Sequence, residues 1–236
     1  MKHYILVHGA WAGSWAFDEI TPLLMQQGHQ AVSIDLPGSE GNPQPISNIT
    51  MDSYVETVIA AISAQPDKVT LVGHSLGGAV ISLAAERAYE KIEKLIFVAA
   101  LLLKDGDSAV SAMSRDPGGK LLGALTFSED QSFATASEQT ARNIIFNGVD
   151  DQVIQRSLPR MAEKQATEPF MATLELTSEK FGLIPKTYIG TANDKVISPS
   201  MQEEMVAGAN VNDVHWLQSG HFPSLSVPKE LAKLLL

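Results

Sequence analysis

The sequence predicts an α/β protein in which a six-stranded, mostly parallel sheet carries helices on both faces. Short apolar runs alternate with helical patterns along most of the chain. These runs are continuous rather than alternating, which is typical of strands that are covered on both faces. Because parallel neighbours need a crossover connection, the regular succession of strand and helix favours a parallel sheet.

The first half of the chain contains three predicted strands, each followed by a helical pattern. The runs HYILVHG (residues 3–9), AVSIDLPGSEG and KVTLVGHS predict strands, and the second of them ends at Pro37 and Gly38. The segment FDEITPLLMQQG places apolar side chains on one helical face and stops at Gly28. The segment MDSYVETVIAAISAQ shows the same spacing, and a third helix is expected from residue 77 to about residue 89.

Beyond residue 91 the pattern continues, breaks and then resumes. KLIFVAALLL predicts a fourth strand up to Leu103, and KTYIGTANDKVI and VHWLQSGHF predict the last two. Residues 104–181 show few strand signals and weak periodicity, which predicts a mostly helical insert over the carboxyl edge of the sheet. SVPKELAKLLL predicts a terminal helix with Pro228 near its first turn. The predicted organisation is a core of residues 1–103 and 182–236 with an insert of residues 104–181.

The composition fits a globular protein with a substantial core. The 236 residues are 44% hydrophobic and 19% charged, with a formal net charge of −10. A surface of this sign repels phosphate backbones and anionic lipids, so neither nucleic acid nor a membrane is expected as a partner. The absence of cysteine excludes disulfides and thiolate chemistry, and it suits a cytoplasmic location. The longest apolar stretch, Leu95–Leu103, is far shorter than the roughly 20 residues of a membrane span. We expect a monomer or a homodimer.

One serine lies among glycines directly after the third predicted strand. The segment Gly73-His74-Ser75-Leu76-Gly77 matches the pattern G-x-S-x-G between a strand and a helix. In such a nucleophile elbow a sharp turn exposes the serine hydroxyl above the sheet edge, and the glycines prevent collisions with nearby backbone. The sequence therefore predicts that Ser75 is a nucleophile.

A serine hydroxyl needs a base, and the order of residues along the chain favours His221. This histidine follows the last predicted strand, so its loop lies at the edge where it can meet Ser75. The base needs an acid that fixes its tautomer, and Asp194 follows the preceding strand. Asp105 and Asp107, which follow the fourth strand, remain alternatives for this acid.

The tetrahedral intermediate of such a reaction needs backbone donors for its oxyanion. The N–H of Leu76, directly after the nucleophile, is the first candidate. The second is the N–H of Ala10 in the loop HGAWAGSW, where Gly9 allows a close approach of the backbone. His8 in this loop is expected to have a role in the turn rather than in proton transfer.

With these residues placed, the chain resembles the α/β-hydrolase superfamily over nearly its whole length. More narrowly, it is similar to the plant methylesterase and hydroxynitrile lyase group and its bacterial esterase relatives. The resemblance rests on LVHGAWAGSWAF, GHQAVSIDLPGSEGNP, VGHSLGGAV and the pair GTANDKVISPSMQEEM and SGHFPSLSVPKEL. It implies an α/β-hydrolase fold in which residues 104–181 are a helical cap, inserted after the strand that follows the nucleophile helix.

The resemblance also separates two chemistries. In the cyanohydrin-cleaving members a threonine follows the early histidine and a lysine follows the catalytic histidine. Here these positions are Gly9 and Phe222, so no cation beside His221 is available for a departing cyanide. The esterase branch is therefore favoured.

The predicted function is a carboxylic ester hydrolase that acts on small, largely apolar esters through an acyl-enzyme, without a metal or an organic cofactor. Large apolar side chains are expected to line its pocket: Trp11, Phe127, Phe146, Phe170, Met171 and Phe222. A hydroxynitrile lyase and a slow-turnover ligand receptor on the same fold remain alternatives. Perhydrolase, dehalogenase and epoxide hydrolase chemistries are less favoured, the last two because they typically use an aspartate nucleophile where this chain has Ser75.

Overall fold

The computed structural model describes residues 1–236 and contains two β-sheets. Its strands are β1 (His3–Val7), β2 (Gln30–Ile34), β3 (Val69–His74), β4 (Ile92–Val98), β5 (Leu125–Phe127), β6 (Phe133–Ala136), β7 (Gln165–Ala166), β8 (Lys186–Thr191) and β9 (Asp213–Leu217). The larger sheet has the order β2-β1-β3-β4-β8-β9, and every neighbouring pair in it is parallel. This confirms the six-stranded parallel sheet that the apolar runs predict.

Helices connect these strands and surround the larger sheet. They are α1 (Ile20–Gln26), α2 (Met51–Ser63), α3 (Gly77–Ala88), α4 (Ala109–Ser114), α5 (Glu138–Thr140), α6 (Asp151–Ser157), α7 (Glu168–Met171), α8 (Pro199–Ala207), α9 (Pro223–Ser226) and α10 (Pro228–Leu235). A π-helical turn, Ala141–Ile145, continues α5. None of the helices combines the length and the hydropathy that crossing a bilayer requires.

The burial of the strands explains their continuous apolar sequences. All residues of β1, β3 and β8 are buried, whereas the edge strands β2 and β9 are largely exposed or half-buried. Interior strands are covered by helices on both faces, so neither set of alternating side chains meets water. The hydrophobic core therefore lies on both sides of the sheet.

The fourth strand is shorter than its apolar run. The run continues to Leu103, but β4 ends at Val98 because Ala99 adopts the left-handed φ of +45°. The chain after it stays buried and turns beneath the serine elbow, where the Leu101 N–H donates to the Ser75 carbonyl at 3.0 Å. The apolar sequence correctly indicates that residues 99–103 are buried. They do not continue the strand, because the backbone turns at Ala99 and Leu101 bonds to the elbow instead.

Residues 104–181, which we call the cap segment, contain both helices and strands. The helices α4–α7 are short, and β5, β6 and β7 form a separate antiparallel sheet. The structure thus differs from the mostly helical insert that the sequence predicts. The three strands have two to four residues each, which is too short for a period-2 pattern to show in the sequence. The division of the chain into a core and a cap domain stays a prediction.

The strand order reverses between β1 and β3. The chain leaves β1 towards β2 on one side, and it leaves β3 towards β4 on the other side. Ligands of open α/β sheets bind in the crevice that such a reversal opens at the carboxyl ends of the strands. The loop after β1 and the turn after β3 meet in this crevice, and they carry Gly9 and Ser75.

Candidate active site

Ser75 occupies a strained turn between β3 and α3. Its φ is +54°, a left-handed conformation that non-glycine residues rarely adopt. The glycines of the motif make room for this turn, since a Cβ at Gly73 would lie 2.7 Å from the Gly77 carbonyl oxygen. A Cβ at Gly77 would lie 2.5 Å from the carbonyl oxygen of Val7 on the neighbouring strand. Close backbone packing therefore explains why one serine lies among glycines.

His221 connects Ser75 to Asp194. Its Nε2 lies 2.9 Å from Ser75 Oγ, and its Nδ1 lies 2.9 Å from Asp194 Oδ2. His221 and Asp194 are buried, and they follow β9 and β8, which are neighbours in the sheet. With the Nδ1 proton donated to the carboxylate, Nε2 is free to accept the serine proton. The sequence-predicted serine, histidine and acid are thus brought together in one hydrogen-bonded row.

The two alternative acids are engaged elsewhere. Asp105 Oδ1 accepts the Leu176 N–H at 2.8 Å, and the Asp107 carboxylate forms an ion pair with Arg115 at 3.0 Å. Asp194 is the acid that the structure places against His221.

Asp194 is held by donors on both of its oxygens. Oδ1 accepts the backbone N–H groups of Val196 at 2.8 Å and Ile197 at 3.1 Å. Oδ2, which faces the histidine, also accepts from Thr191 Oγ1 at 2.9 Å and from Gln202 Nε2 at 3.2 Å. These bonds fix the carboxylate in place and offset its removal from water.

The loop after β1 approaches the serine closely enough to supply a backbone donor. A Cβ at Gly9 would lie 2.5 Å from the Ser75 Cβ and 3.1 Å from its Oγ, so only glycine fits. Ala10 and Leu76 border the cavity beside Ser75, and neither of their backbone N–H groups donates to an acceptor in the protein. Both are therefore available for an oxygen of a bound ligand.

Comparison with known proteins shows the family of this chain. The sequence profile of the Alpha/beta hydrolase family matches residues 4–234. The chain belongs to this family.

Similar proteins include esterases and a lyase. The chain is 31% identical to putative methylesterase 12, chloroplastic, of Arabidopsis thaliana, over 100% of this chain and 71% of that protein. It is 28% identical to the alpha-hydroxynitrile lyase of the same plant, over 97% of this chain and 93% of the lyase. The crystal structure of polyneuridine aldehyde esterase superposes with a TM-score of 0.87 at 24% identity, covering 100% of this chain and 98% of that one. At that identity the structural likeness establishes the fold. The family relatives include methylesterases and other esterases, which supports an ester hydrolase.

His74 connects the elbow to the loop that carries His221. Its Nε2–H donates to the His221 carbonyl oxygen at 2.8 Å, and the two imidazole rings lie 4.8 Å apart. Burial, and then the proximity of His221, hold the pKa of His74 well below its usual range. A neutral ring has one N–H, and here it is used to position the backbone of His221.

His8 holds the loop after β1 by two hydrogen bonds to backbone groups. Its Nε2 accepts the Leu36 N–H at 3.0 Å, so its proton is on Nδ1 and is donated to the Gly9 carbonyl at 2.8 Å. Burial lowers the pKa of His8, which keeps the ring neutral. The turn role predicted for this residue fits these two bonds.

Two adjacent apolar cavities lie on the side of the sheet edge that carries the serine. The one that contacts Ser75 has a volume of about 20 Å³, and its neighbour under the cap segment has about 270 Å³. Trp11, Met113 and Phe170 border both cavities. The smaller space holds about one water molecule, so the larger one provides most of the room for a ligand.

The predicted pocket residues divide between these cavities, with one exception. Trp11 and Phe170 border both, Phe222 borders the smaller one, and Phe127 and Met171 border the larger one. Phe146 borders neither of them. It is buried behind Phe222 and packs on it and on Trp15 at ring distances of 5.2 and 6.4 Å. Its apolar sequence context is the same as that of a pocket residue, and only the fold separates the two.

Several supporting residues lie outside the sequence prediction. Gln165 of β7 and Gln202 of α8 are buried and hydrogen-bond to the Trp11 backbone and to Asp194, respectively. For Gln202 a weak signal exists, since it shares a helix face with the apolar Met201 and Met205. For Gln165 there is none, because its partner is more than 150 residues away in the chain. No group of three or more His, Cys, Asp or Glu side chains is arranged to hold a metal ion.

Proposed function

We propose that this chain is a serine-dependent carboxylic ester hydrolase that acts on small, largely apolar esters through an acyl-enzyme. The observation that carries the proposal is the row Asp194–His221–Ser75, with 2.9 Å at each step, opening into an apolar cavity. A nucleophile, its base and the acid that orients the base are the parts that acyl transfer needs. The esterases among the relatives support the same reaction class.

In the first half of the proposed reaction, Ser75 is acylated. His221 Nε2 accepts the Oγ proton while Oγ bonds to the ester carbonyl carbon. The carbonyl oxygen becomes an oxyanion, and the free N–H groups of Ala10 and Leu76 donate to it. When the intermediate collapses, the carbon–oxygen bond to the alcohol breaks and the Nε2 proton goes to the leaving alkoxide. The alcohol departs and the acyl group stays on Ser75.

In the second half, water releases the acid. His221 Nε2 accepts a proton from the attacking water, and the same two N–H groups hold the second oxyanion. Collapse breaks the bond to Ser75 Oγ, which takes the proton back. Asp194 remains a carboxylate throughout and stabilises the imidazolium that forms twice in the cycle.

The cavities support the substrate class. The space at Ser75 admits little more than the reacting ester group, and the adjacent cavity is bordered mainly by apolar side chains from the cap segment. A substrate that fits both has a compact ester and an apolar part of moderate size. Binding of the apolar part then brings the carbonyl to Ser75.

Cyanohydrin cleavage is the second candidate, because one relative is an alpha-hydroxynitrile lyase. Phe222, the residue after His221, argues against cyanohydrin cleavage. Phe222 is buried and packs against His74 and Trp15, at ring distances of 4.4 and 6.4 Å, so an aromatic cluster occupies this position. An apolar ring stabilises a departing cyanide poorly. Assay with mandelonitrile separates the two activities, and we expect ester hydrolysis to dominate.

The proposal is tested by hydrolysis of short p-nitrophenyl esters by the wild type and by Ser75→Ala. We expect clear turnover that falls by a factor on the order of 10⁶ in the variant, because the nucleophile is lost. Ser224→Ala is a control for the loss of a serine hydroxyl, since this serine is buried and borders neither cavity. Equal slow turnover by the wild type and Ser75→Ala would contradict the proposal and favour the ligand receptor.

A cytoplasmic location, a monomeric or dimeric state and a reaction without cofactor stay predictions from the sequence.

A further inference from the structure

Asn147 lies in the cap segment, yet it contacts the two loops that carry Asp194 and His221. Its side-chain Nδ2–H donates to the carbonyl oxygen of Asn193, the residue directly before Asp194, at 2.7 Å. It also packs on Gly220, the residue directly before His221. A Cβ at Gly220 would overlap the Asn147 carbonyl oxygen and lie 2.6 Å from Nδ2, so the two residues are in close contact. One asparagine therefore touches the backbone immediately before the acid and before the base.

A π-helical turn leads the chain to this junction. The turn comprises Ala141–Ile145, and the Phe146 N–H donates to the carbonyl five residues back at 2.8 Å. Phe146 packs on Phe222, and the next residue, Asn147, is buried against the two loops. Gly148 then has a left-handed φ of +78°, at which the chain turns away. Single π-turns of this kind are rare, and they are frequent at functional sites.

The two loops are also joined to each other beside Asn147. The Asn193 N–H donates to the Ser219 carbonyl at 3.0 Å. The backbone of Asn193 is thus bonded to the histidine loop through its N–H and to Asn147 through its carbonyl. A shift of this residue would move Asp194 relative to His221. Because hydrogen bonds weaken with distance and misalignment, such a shift would loosen the 2.9 Å bond between the two side chains.

Packing alone does not explain the amide of Asn147. The residue is 8% exposed, and its Oδ1 is buried and accepts no hydrogen bond from the protein. A buried polar atom without a partner costs free energy. Leucine has a similar size and would fill the same space without that cost. The feature that only the amide supplies is the Nδ2 donor to the Asn193 carbonyl.

Asn212 provides a comparison at the opposite end of the same two strands. Its Oδ1 accepts the N–H of Lys186, where β8 begins, at 2.9 Å, and Asn212 itself directly precedes β9. It is also a single asparagine that joins these strands through a side-chain bond to the backbone. However, it lies at their amino ends and is exposed, whereas Asn147 holds the loops at their carboxyl ends.

We propose that Asn147 is a positioning residue for the proposed ester hydrolysis. By holding the residues before Asp194 and His221, it sets the geometry of the hydrogen bond between these side chains. This bond in turn orients His221 Nε2 towards Ser75. Asn147 borders neither cavity, so it acts through the acid and the base and not through contact with the substrate. The inference rests on the proposed function.

Asn147→Leu tests the inference by kinetics. Leucine keeps the packing on Gly220 but loses the donor to the Asn193 carbonyl. We expect kcat for p-nitrophenyl butyrate, per folded molecule, to fall about tenfold, because the base is displaced from the serine. We expect KM to change less than about twofold, because the cavities stay as they are. Asn212→Leu is the control, and it should keep the wild-type kcat.

Asn147→Asp separates the donor from the shape of the side chain. The ionised carboxylate only accepts hydrogen bonds, whereas the protonated acid has an O–H that can donate to the Asn193 carbonyl. The ratio of its kcat to that of the wild type should therefore rise several-fold as the pH falls from about 8 to about 5.5. Circular dichroism gives the folded fraction at each pH. Because this variant keeps the size of asparagine, it also decides the matter if Asn147→Leu does not fold.

A spectroscopic measurement separates this inference from the proposed function, because it needs no turnover. The Nδ1 proton that His221 donates to Asp194 gives a low-field ¹H resonance, which His221→Gln assigns by removing it. We expect Asn147→Leu to shift this resonance upfield, since the hydrogen bond lengthens, and Asn212→Leu to leave it in place. Only folded molecules contribute to the signal, so a partial loss of stability does not imitate the shift.

Four results would overturn the inference. They are a wild-type kcat in Asn147→Leu, equal losses of kcat in Asn147→Leu and Asn212→Leu, a ratio for Asn147→Asp that does not rise at low pH, and an Nδ1 resonance that Asn147→Leu leaves unchanged. Absence of turnover in the wild type would instead overturn the ester hydrolysis. The Nδ1 resonance would then still decide whether Asn147 positions the acid and the base.

Discussion

The carboxyl edge of the central sheet and the cap segment enclose the same cavities but are built in different ways. At the sheet edge, polar groups hold one another: the Asp194 carboxylate accepts five hydrogen bonds, including the one from His221. The cap segment contributes mainly apolar side chains from short helices and loops, such as Met113, Leu121 and Phe170. Directional bonds fix the reacting groups, whereas non-directional packing shapes the walls. We expect changes at the edge to abolish the chemistry and changes in the apolar walls of the cap segment to alter the choice of ester.

Backbone strain is also concentrated at the sheet edge rather than in the cap segment. Four non-glycine residues have a left-handed φ: Trp11, Ser75, Ala99 and Gln131. Ser75 is the elbow residue, Trp11 and Ala99 lie in the loops after β1 and β4, and Gln131 lies in the exposed turn between β5 and β6. Strain of this kind persists only where the surroundings over-determine it. The buried hydrogen bonds around the elbow, including Leu101 N–H to the Ser75 carbonyl, supply that constraint.

Among variants that keep Ser75, we expect the largest effect from Asp194→Asn at the sheet edge. The amide keeps the shape but offers an N–H where His221 needs an acceptor, so the imidazole takes the wrong tautomer. We expect kcat for p-nitrophenyl butyrate to fall by about 10⁴. Asp105→Asn makes the same chemical change at an acid that does not contact His221, and it should keep nearly full activity. Equal losses in the two variants would show that the edge network does not position the base.

A second effect concerns stability and pH, and it arises from the two buried histidines. His8 and His74 have lowered pKa values in the folded chain, with burial as the main cause. Above the unfolded value of 6.5 neither state binds the proton, so their full contribution to stability is present. As the pH falls from there towards the folded pKa values, only the unfolded chain is protonated and stability is lost. The free energy of unfolding should fall by up to about 1.4 kcal/mol per pH unit for each histidine.

Urea unfolding from about pH 7.5 to about pH 5 measures this slope. In His74→Gln, the amide retains a donor for the His221 carbonyl but does not titrate. The pH dependence of the free energy of unfolding should therefore lose the contribution of His74 and keep that of His8. An unchanged slope in this variant would mean that His74 is not the neutral, buried donor described above.

The smallest effect is expected in the cap segment. Phe170→Val removes a ring that borders both cavities and thereby opens space between them. We expect the ratio of kcat/KM for p-nitrophenyl octanoate to that for the acetate to rise about fivefold, because a longer chain reaches the larger cavity more easily. Phe127→Val is the control, since Phe127 borders only the larger cavity and is partly exposed. A similar rise in both variants would contradict the role of Phe170 as a boundary.

These regions also differ in how far the sequence predicts them. The sheet edge is predictable because each feature is local: buried strands are continuous apolar runs, and the elbow is a five-residue motif. The order of Ser75, Asp194 and His221 along the chain then places the three side chains at one edge. The end of β4 at Val98 is not predictable from the apolar run, because it depends on the left-handed φ of Ala99 and on the bond between Leu101 and the elbow.

The cap segment is poorly predictable for the opposite reason. Its strands have two to four residues, and its apolar side chains have the same sequence character whether they border a cavity or fill the core. Phe146 and Phe170 illustrate this, since the sequence predicts both in the pocket and only Phe170 borders it. The hydrogen bond from the Trp11 N–H to Gln165 joins residues that are 154 positions apart, so no local sequence pattern predicts it.

The most direct test of the central claim is to trap the acyl group on Ser75. Wild-type protein is mixed with p-nitrophenyl butyrate, quenched in acid within the first turnovers and examined by mass spectrometry of the intact chain and its peptides. The account predicts one butyryl group on the peptide that contains Ser75, and none on that peptide in Ser75→Ala. Ester hydrolysis without acylation of Ser75, or with acylation only at another residue, would contradict it.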